Sequence, residues 1–306
     1  VIGVMEIAVR ALAMVAIIGV GLLLKRVGLV RSEDARPLTV LLLWVTLPAA
    51  LFTAFDGRTL DAHLLGLTLL AAVANTLQHV LGYLLAPRGD RRAQAFALLN
   101  SGGYNVGIFA TPYLAAMLGP AAMVSTTMFD LGGAFTSSGP AYGWASALAE
   151  PPRPGRVGRV LRTIAGSPVF VTYLALVAFA LSGLRLPAPV LAFTSTVGAA
   201  NPFVAMVMIG IALELRLPRA QLALAVRFLV VRYGFAVVAA AVTWFLLPLP
   251  VDLRRVACVL LFAPMATMQL AFTARAGLDT EVSGFLSSVT ILVGIVVMPA
   301  ILLAAG

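Results

Sequence analysis

The chain has 306 residues, of which 61% are hydrophobic and only 11% charged, and its mean hydropathy is +1.03. Soluble domains carry about 25% charged residues, so an ordinary soluble enzyme and a disordered tail are both excluded. The formal charge of +9, from 21 Lys and Arg against 12 Asp and Glu, falls between apolar runs and not in a basic patch that would track nucleic acid, which identifies a polytopic membrane protein.

The first apolar run, near 4–24, ends at Lys25-Arg26 with no small-residue cleavage site, so it reads as a retained span and not a secretory signal. Glu6 and Arg10 lie four apart on it, where an ion pair lowers the cost of insertion. A membrane helix needs about 20 mostly apolar residues, and charge and Pro/Gly punctuation divide the rest into nine further stretches, near 38–55, 62–86, 93–116, 120–146, 163–183, 189–214, 220–246, 254–274 and 281–304. The expectation is an all-α protein of ten transmembrane helices. The turns are short and no soluble domain is left over. The single Cys258 and two histidines give no disulfide framework or histidine-built metal site, so no cofactor is expected.

Loop charge orients the spans. Lys25, Arg26, Arg31, Arg36, Arg88, Arg91, Arg92, Arg153, Arg156, Arg159, Arg162, Arg216, Arg219 and Arg275 lie in odd-numbered loops, whereas the even-numbered loops hold Arg58, Arg185, Arg254 and Arg255, a ratio of fourteen to four. The odd loops are therefore expected in the cytoplasm and both termini on the periplasmic side of an inner membrane. Nearly all basic residues are Arg in a chain rich in Ala, Gly, Leu and Val, a bias that agrees with a bacterial source.

Five spans per half have a geometric consequence: a second homologous half must insert upside down relative to the first. The expected division is a five-helix repeat over 1–149, a cytoplasmic linker over 150–162 and a second, inverted repeat over 163–306. Leu47-Pro48 and Asn201-Pro202 occupy corresponding positions in the two halves. Inverted repeats with interrupted helices are a recurring transporter architecture; the alternative is chance similarity in an apolar composition.

Span four carries Asn100-Ser101-Gly102-Gly103-Tyr104-Asn105, and then Thr111-Pro112, at mid-membrane depth. Gly frees the backbone and Pro removes a donor, so a continuous helix is not expected through 100–112. Backbone groups freed there must face protein, an ion or a water-filled cavity. Span nine has Pro264, Thr267 and Gln269 at a similar depth, read as a second crossing break with an ordinary proline kink as the alternative. Two half-helix N-termini aimed at one region favour a carboxylate. The candidate substrate-binding residues are Asn100, Tyr104, Asn105, Thr111, Pro112, Asn201, Pro264, Thr267 and Gln269.

Asp130 lies inside span five, where an acid is expensive unless paired, protonated or hydrated; it is read either as the coupling acid or as a structural acceptor. Asn75 and His79 share a face of span three and form a candidate interhelical hydrogen-bond patch. Arg227 and Arg232 sit in span eight, where they either snorkel, pair or attract an anion. There is no GxxxxGK[ST] or HExxH, so the chain is not expected to be an enzyme.

The segments Leu43 to Phe52, Asn105 to Leu114, Met128-Phe129-Asp130, Asn201-Pro202 with Gly210 to Leu213, and Ala271 to Asp279 together resemble a bacterial member of the auxin efflux carrier family. The resemblance implies two inverted five-helix units, a scaffold and a crossover domain each drawn from both, as in the bile-acid sodium symporters. It also implies secondary transport of malonate-, malate- or auxin-like anions, often as efflux. By position, Asn105 and Pro112 match the first crossover motif, Pro264 the second broken helix, and Asp130 the Phe-Asp signature. The chain departs from the family at Ala110 and in having no asparagine beside Pro264. The expected partners are a small organic anion, the lipid bilayer and a second copy of the chain as a homodimer, with proton or sodium coupling and no nucleic acid. The alternatives are a sodium-coupled importer of an amphipathic organic acid, and a sensor or passive channel.

Overall fold

The computed structural model describes residues 4–149, 158, 161–162 and 165–304, and the regular structure among them is helical apart from one antiparallel pairing of Tyr104 with Met265. In chain order the helices are α1 (Val4–Arg26), α2 (Ser32–Phe55), α3 (Ala62–Leu85), α4 (Arg91–Ser101), α5 (Val106–Leu118), α6 (122–149), α7 (Pro168–Ser182), α8 (Ala188–Ala212), α9 (Arg219–Leu246), α10 (Val251–Leu261), α11 (Thr267–Arg275) and α12 (Thr280–Ala304). Most of the expected 150–162 linker, with Arg153, Arg156 and Arg159, lies outside the described residues.

The fold corrects the expected ten transmembrane helices in two inverted five-helix repeats with discontinuous crossing helices 4 and 9. Among the described residues six helices are long and apolar enough to cross a membrane: α1, α2, α3, α8, α9 and α12. The other expected spans fail on length or composition. The stretch at 93–116 divides into α4, 11 residues long with Arg91, Arg92 and Gln94, and the shorter apolar α5. That at 254–274 divides into α10, 11 residues carrying Asp252, Arg254 and Arg255, and α11, of 9 residues. Helix α7 has 15 residues, short of the roughly 20 that a span needs. Helix α6 carries Asp130 and a run of buried Ser and Thr, and is covered by protein along most of its length. Counting apolar residues per window overstated the number of spans because it passed over chain breaks and interior polar rows.

The result is a multi-span α-helical membrane protein of transporter-like construction, with α5 and the ends of α4 and α10 packed inside, whereas the short α7 keeps Val171, Leu174 and Leu181 exposed. Phe109 and Tyr113 of α5 stack at 5.1 Å within a core that also takes Met206 and Ile209 of α8, Leu260 of α10 and Met298 of α12. Outward-facing Val230, Val237, Val238 and Phe245 give α9 a lipid-facing side. Small residues permit the closest approaches: a side chain at Gly21 of α1 would strike the Val207 carbonyl, and one at Gly210 of α8 would strike that of Ile18. Gly132 of α6 similarly lies on the Thr68 carbonyl of α3.

Helix C-termini leave carbonyls without intrahelical partners and carry partial negative charge. Basic side chains from other helices fill that role repeatedly. Lys25 donates to the carbonyls of Ile211 and Leu213 at 3.0 and 2.6 Å, at the end of α8. Arg10 donates to Ala116 and Met117 at 3.1 and 3.4 Å, at the end of α5, while pairing with Glu6 at 2.5 Å. Arg227 reaches Leu85 O at the end of α3, at 2.5 Å, and Arg91 reaches Ala147 O in the last turn of α6, at 2.9 Å. Lys25 and Arg91, which loop counting treats as topology markers, thus also complete helix ends.

Candidate functional site: the paired chain breaks

Helix α4 is capped by Asp90, whose side chain accepts from Ala93 N–H at 2.9 Å, and it stops after Ser101 because two glycines follow. A Cβ on Gly102 would collide with the His79 ring, and Gly103 has φ +79 with a Cβ position inside the Gln269 amide. Any side chain at 103 therefore meets both backbone strain and a filled space. Asn105 N–H donates to Pro264 O at 2.8 Å and Ala266 N–H to Gly103 O at 3.3 Å, so Tyr104 and Met265 lie opposite one another as a short extended pair. Met265 N–H is taken by Thr290 Oγ1 of α12 at 2.9 Å. Pro264 supplies an acceptor and no donor, which suits its place in this pairing. The chain returns to helix at Val106 through a π-helical turn, with Pro112 inside the first turn of the regular segment that follows.

Three buried side chains fix the pairing from outside. Asn75 Oδ1 accepts from Gly103 N–H at 2.7 Å, while its amide donates to Gly133 O, Thr136 Oγ1 and Ser137 Oγ at 3.1, 2.7 and 2.9 Å. His79 contacts Leu98 O through Nδ1 at 2.6 Å and Ser137 Oγ through Nε2 at 3.3 Å; a carbonyl only accepts, so Nδ1 carries the hydrogen. The third is Arg232 of α9, 3% exposed. Its Nη1 donates to Ser101 O and Gly102 O at 3.2 and 3.4 Å, and its Nη2 to Gly103 O and Ala263 O at 2.9 Å each. The Tyr104 ring covers the guanidinium, 5.5 Å from its carbon.

The sequence-derived candidates separate into two groups. Tyr104, Asn105, Pro264 and Gln269 converge on the paired breaks. The Tyr104 hydroxyl, Asn105 Nδ2 and both polar atoms of Gln269 are buried without a protein partner. Thr267 opens α11 beside them. The remaining candidates have bonds within the fold. Asn100 donates to Phe96 O and Thr273 Oγ1 at 2.9 and 3.1 Å and accepts from Ser283 Oγ at 2.6 Å, so it ties α4 to α11 and α12. Thr111 donates to Thr126 Oγ1 at 3.0 Å. Asn201 accepts from Thr46 Oγ1 at 3.2 Å, in the π-helical turn of α2, and keeps its Nδ2 unpartnered.

Asp130 accepts from the Tyr173 hydroxyl of α7 at 2.6 Å. A Cβ built on Gly107, in the first turn of α5, would lie 3.0 Å from both the Asp130 carboxylate and that hydroxyl. The positive N-terminal end of α5 therefore already faces a carboxyl group of the chain itself. The first turn of α11 holds no acid and carries the uncharged Gln269.

Two cavities open at opposite ends of α3. One, of about 440 Å³, runs from Asp90, Arg92 and Arg227 along apolar residues such as Phe96 and Phe228 to Ser101, whose hydroxyl has no partner and whose carbonyl holds Arg232. The other, of about 530 Å³, lies among Arg58, Asp61, Ser125 and Asp252. The sequence singled out Asn75 for an interhelical patch and Arg232 as snorkelling, pairing or attracting an anion, but placed neither at the breaks, and it did not single out Tyr173. For Arg232 a signal existed: it sits mid-helix, and α9 contains no acid, so its partners must come from other segments.

No protein-family model matches the chain, and no curated protein matches it.

Proposed function

We propose that the chain is a secondary transporter that carries a small organic anion, a mono- or dicarboxylate of malonate, malate or auxin type, across a bacterial inner membrane by alternating access, in the direction of efflux. The observation that carries this reading is the group of buried, unpartnered donors at the breaks: Tyr104 OH, Asn105 Nδ2 and Gln269 Nε2. Buried polar groups normally have partners, and donors without one are matched by an acceptor-rich ligand. Electrostatics favours the same location. The C-terminal ends of α4 and α10 face Arg232 and the first turn of α5 faces Asp130, whereas the N-terminal end of α11 has no acid in its first turn and is open to an incoming carboxylate.

The cavity that ends at Ser101 serves as one approach to this site, and the cavity at the far end of α3 marks the opposite face. Movement of the paired-break segments against the six spanning helices exposes the site to each side in turn. Asp130, bonded to Tyr173 and placed at the first turn of α5, is the group assigned to proton coupling. The resemblance of Asn105 to Leu114 and of Phe129-Asp130 to the auxin efflux carriers supports the reading, and membership of that family belongs to the proposal, as do termini on the outer side.

Reconstitution in liposomes with labelled malonate, malate and an indole carboxylate tests it. Saturable flux is expected, accelerated by a pH gradient in the wild type and insensitive to it in Asp130→Asn. Folded protein that moves none of these anions overturns the proposal, and binding without turnover assigns the chain to sensing instead. A sodium requirement at fixed pH replaces the proton-coupled cycle by a sodium-coupled one.

A further inference from the structure

We propose that Arg232 is a built-in counter-cation for the paired chain breaks: its guanidinium fills a cradle of backbone carbonyls that would otherwise call for a bound alkali cation, and so fixes the two breaks in register without one. The cradle is drawn from two segments distant in sequence. Ser101, Gly102 and Gly103 contribute carbonyls from the end of α4, and Ala263 contributes one from beyond α10, all within 2.9 to 3.4 Å of the guanidinium nitrogens. These oxygens sit where helix ends have exhausted their intrahelical donors, and two such ends brought together add their partial negative charges. All four residues are buried, so the oxygens call for donors from within the protein. Grouped carbonyl oxygens of this kind replace the hydration shell of a monovalent cation in ion filters.

The guanidinium suits the position better than an ammonium would. It keeps its charge and presents a planar fork of donors, and the fork spans carbonyls on both segments. Its stem comes from the middle of α9, a third helix, so the charge is delivered from outside the two segments that it joins. Arg232 is the only buried arginine among the described residues. It extends to the interior the pattern by which Arg10, Lys25, Arg91 and Arg227 complete other helix ends near the surface. The Tyr104 ring, 5.5 Å away, closes the cradle on another side through a cation–π contact. Tyr104 is also one of the unpartnered donors of the site, so a change at the clamp reaches the site through a shared side chain.

The test uses the full chain in detergent, compared as wild type, Arg232→Ala and Arg232→Lys, with melting followed in sodium, potassium, choline and guanidinium chlorides at matched millimolar concentration and with urea as an uncharged control. Wild type is expected to melt at the same temperature in all the salts. Arg232→Ala is expected to melt about 10 °C lower in choline, the scale of an emptied buried charge site, and to recover most of the loss in guanidinium or an alkali salt but not in urea. Arg232→Lys, which keeps the charge and loses the fork, is expected between the two. Specific stabilisation of wild type by an alkali cation overturns the proposal. So does an Arg232→Ala protein as stable as wild type, or one that no cation rescues. If Arg232→Ala does not fold, the wild-type comparison and Arg232→Lys decide, since a lysine variant equal to wild type removes the role of the fork.

A second arm rests on the transport reading: flux by wild type is expected to be equal in sodium and choline, and flux by Arg232→Ala to require an added cation. Absence of flux in every protein counts against that reading alone, because the melting comparison does not depend on it.

Discussion

Replacing Gln269 by methionine separates a residue kept for ligand binding from one kept for folding. Gln269 is fully buried, with Nε2 and Oε1 both unpartnered. A buried polar group without a hydrogen bond costs about 1–3 kcal/mol, and methionine has a similar length with no amide to satisfy. Gln269→Met is therefore expected to raise stability by about 2 kcal/mol or more, seen as a melting point higher by roughly 4 °C. The same change removes a donor to a charged ligand, worth about 1.5–3 kcal/mol, so anion affinity is expected to fall by about 10- to 100-fold. Thermal unfolding in detergent and anion binding on the same preparation read the two effects independently. A variant that melts lower than wild type while binding anion normally refutes the reasoning, because the amide would then be a structural group.

Gly103→Ala adds a Cβ at φ +79 against the Gln269 amide and is expected to cost about 3 kcal/mol from strain and overpacking; pairing it with Gln269→Ala should return the packing part, and chemical unfolding in mixed micelles measures both. Asn75→Ala removes the acceptor for Gly103 N–H and three donations to α6; faster amide exchange across 100–106 is expected, and unchanged protection would show that the break holds itself. Gly21→Leu and Gly210→Leu each force α1 from α8, where the glycines lie against opposing carbonyls. Because both open the same contact, the double variant should lose less stability than the two single losses added, and simple additivity in a melting series would contradict that packing.

Much of the local structure was legible before folding was considered. Gly102-Gly103 and Pro264 mark breaks because conformational freedom and a missing donor act on the residues that carry them. The Glu6–Arg10 pair follows from helical spacing alone, and it forms at 2.5 Å. Likewise Asn75 and His79, one turn apart, both reach Ser137 of α6. The count of spanning helices was not legible in the same way. An apolar window does not reveal that α6 is covered by protein, and it counted the stretch around the expected 100–112 break as one span, so composition gave ten spans where six helices qualify among the described residues.

The sequence by itself determined that this is a membrane protein, where its charges lie and where its helices cannot continue, because these depend on each residue's own transfer cost and backbone preference. Only the tertiary structure decided what satisfies the interrupted backbone. Arg232 reaches Ser101 O across 131 positions of sequence, and Tyr173 reaches Asp130 across 43. Hydrocarbon offers a freed carbonyl or carboxylate no partner, so each must find one within the protein, and a partner that far along the chain is fixed by packing and not by local spacing.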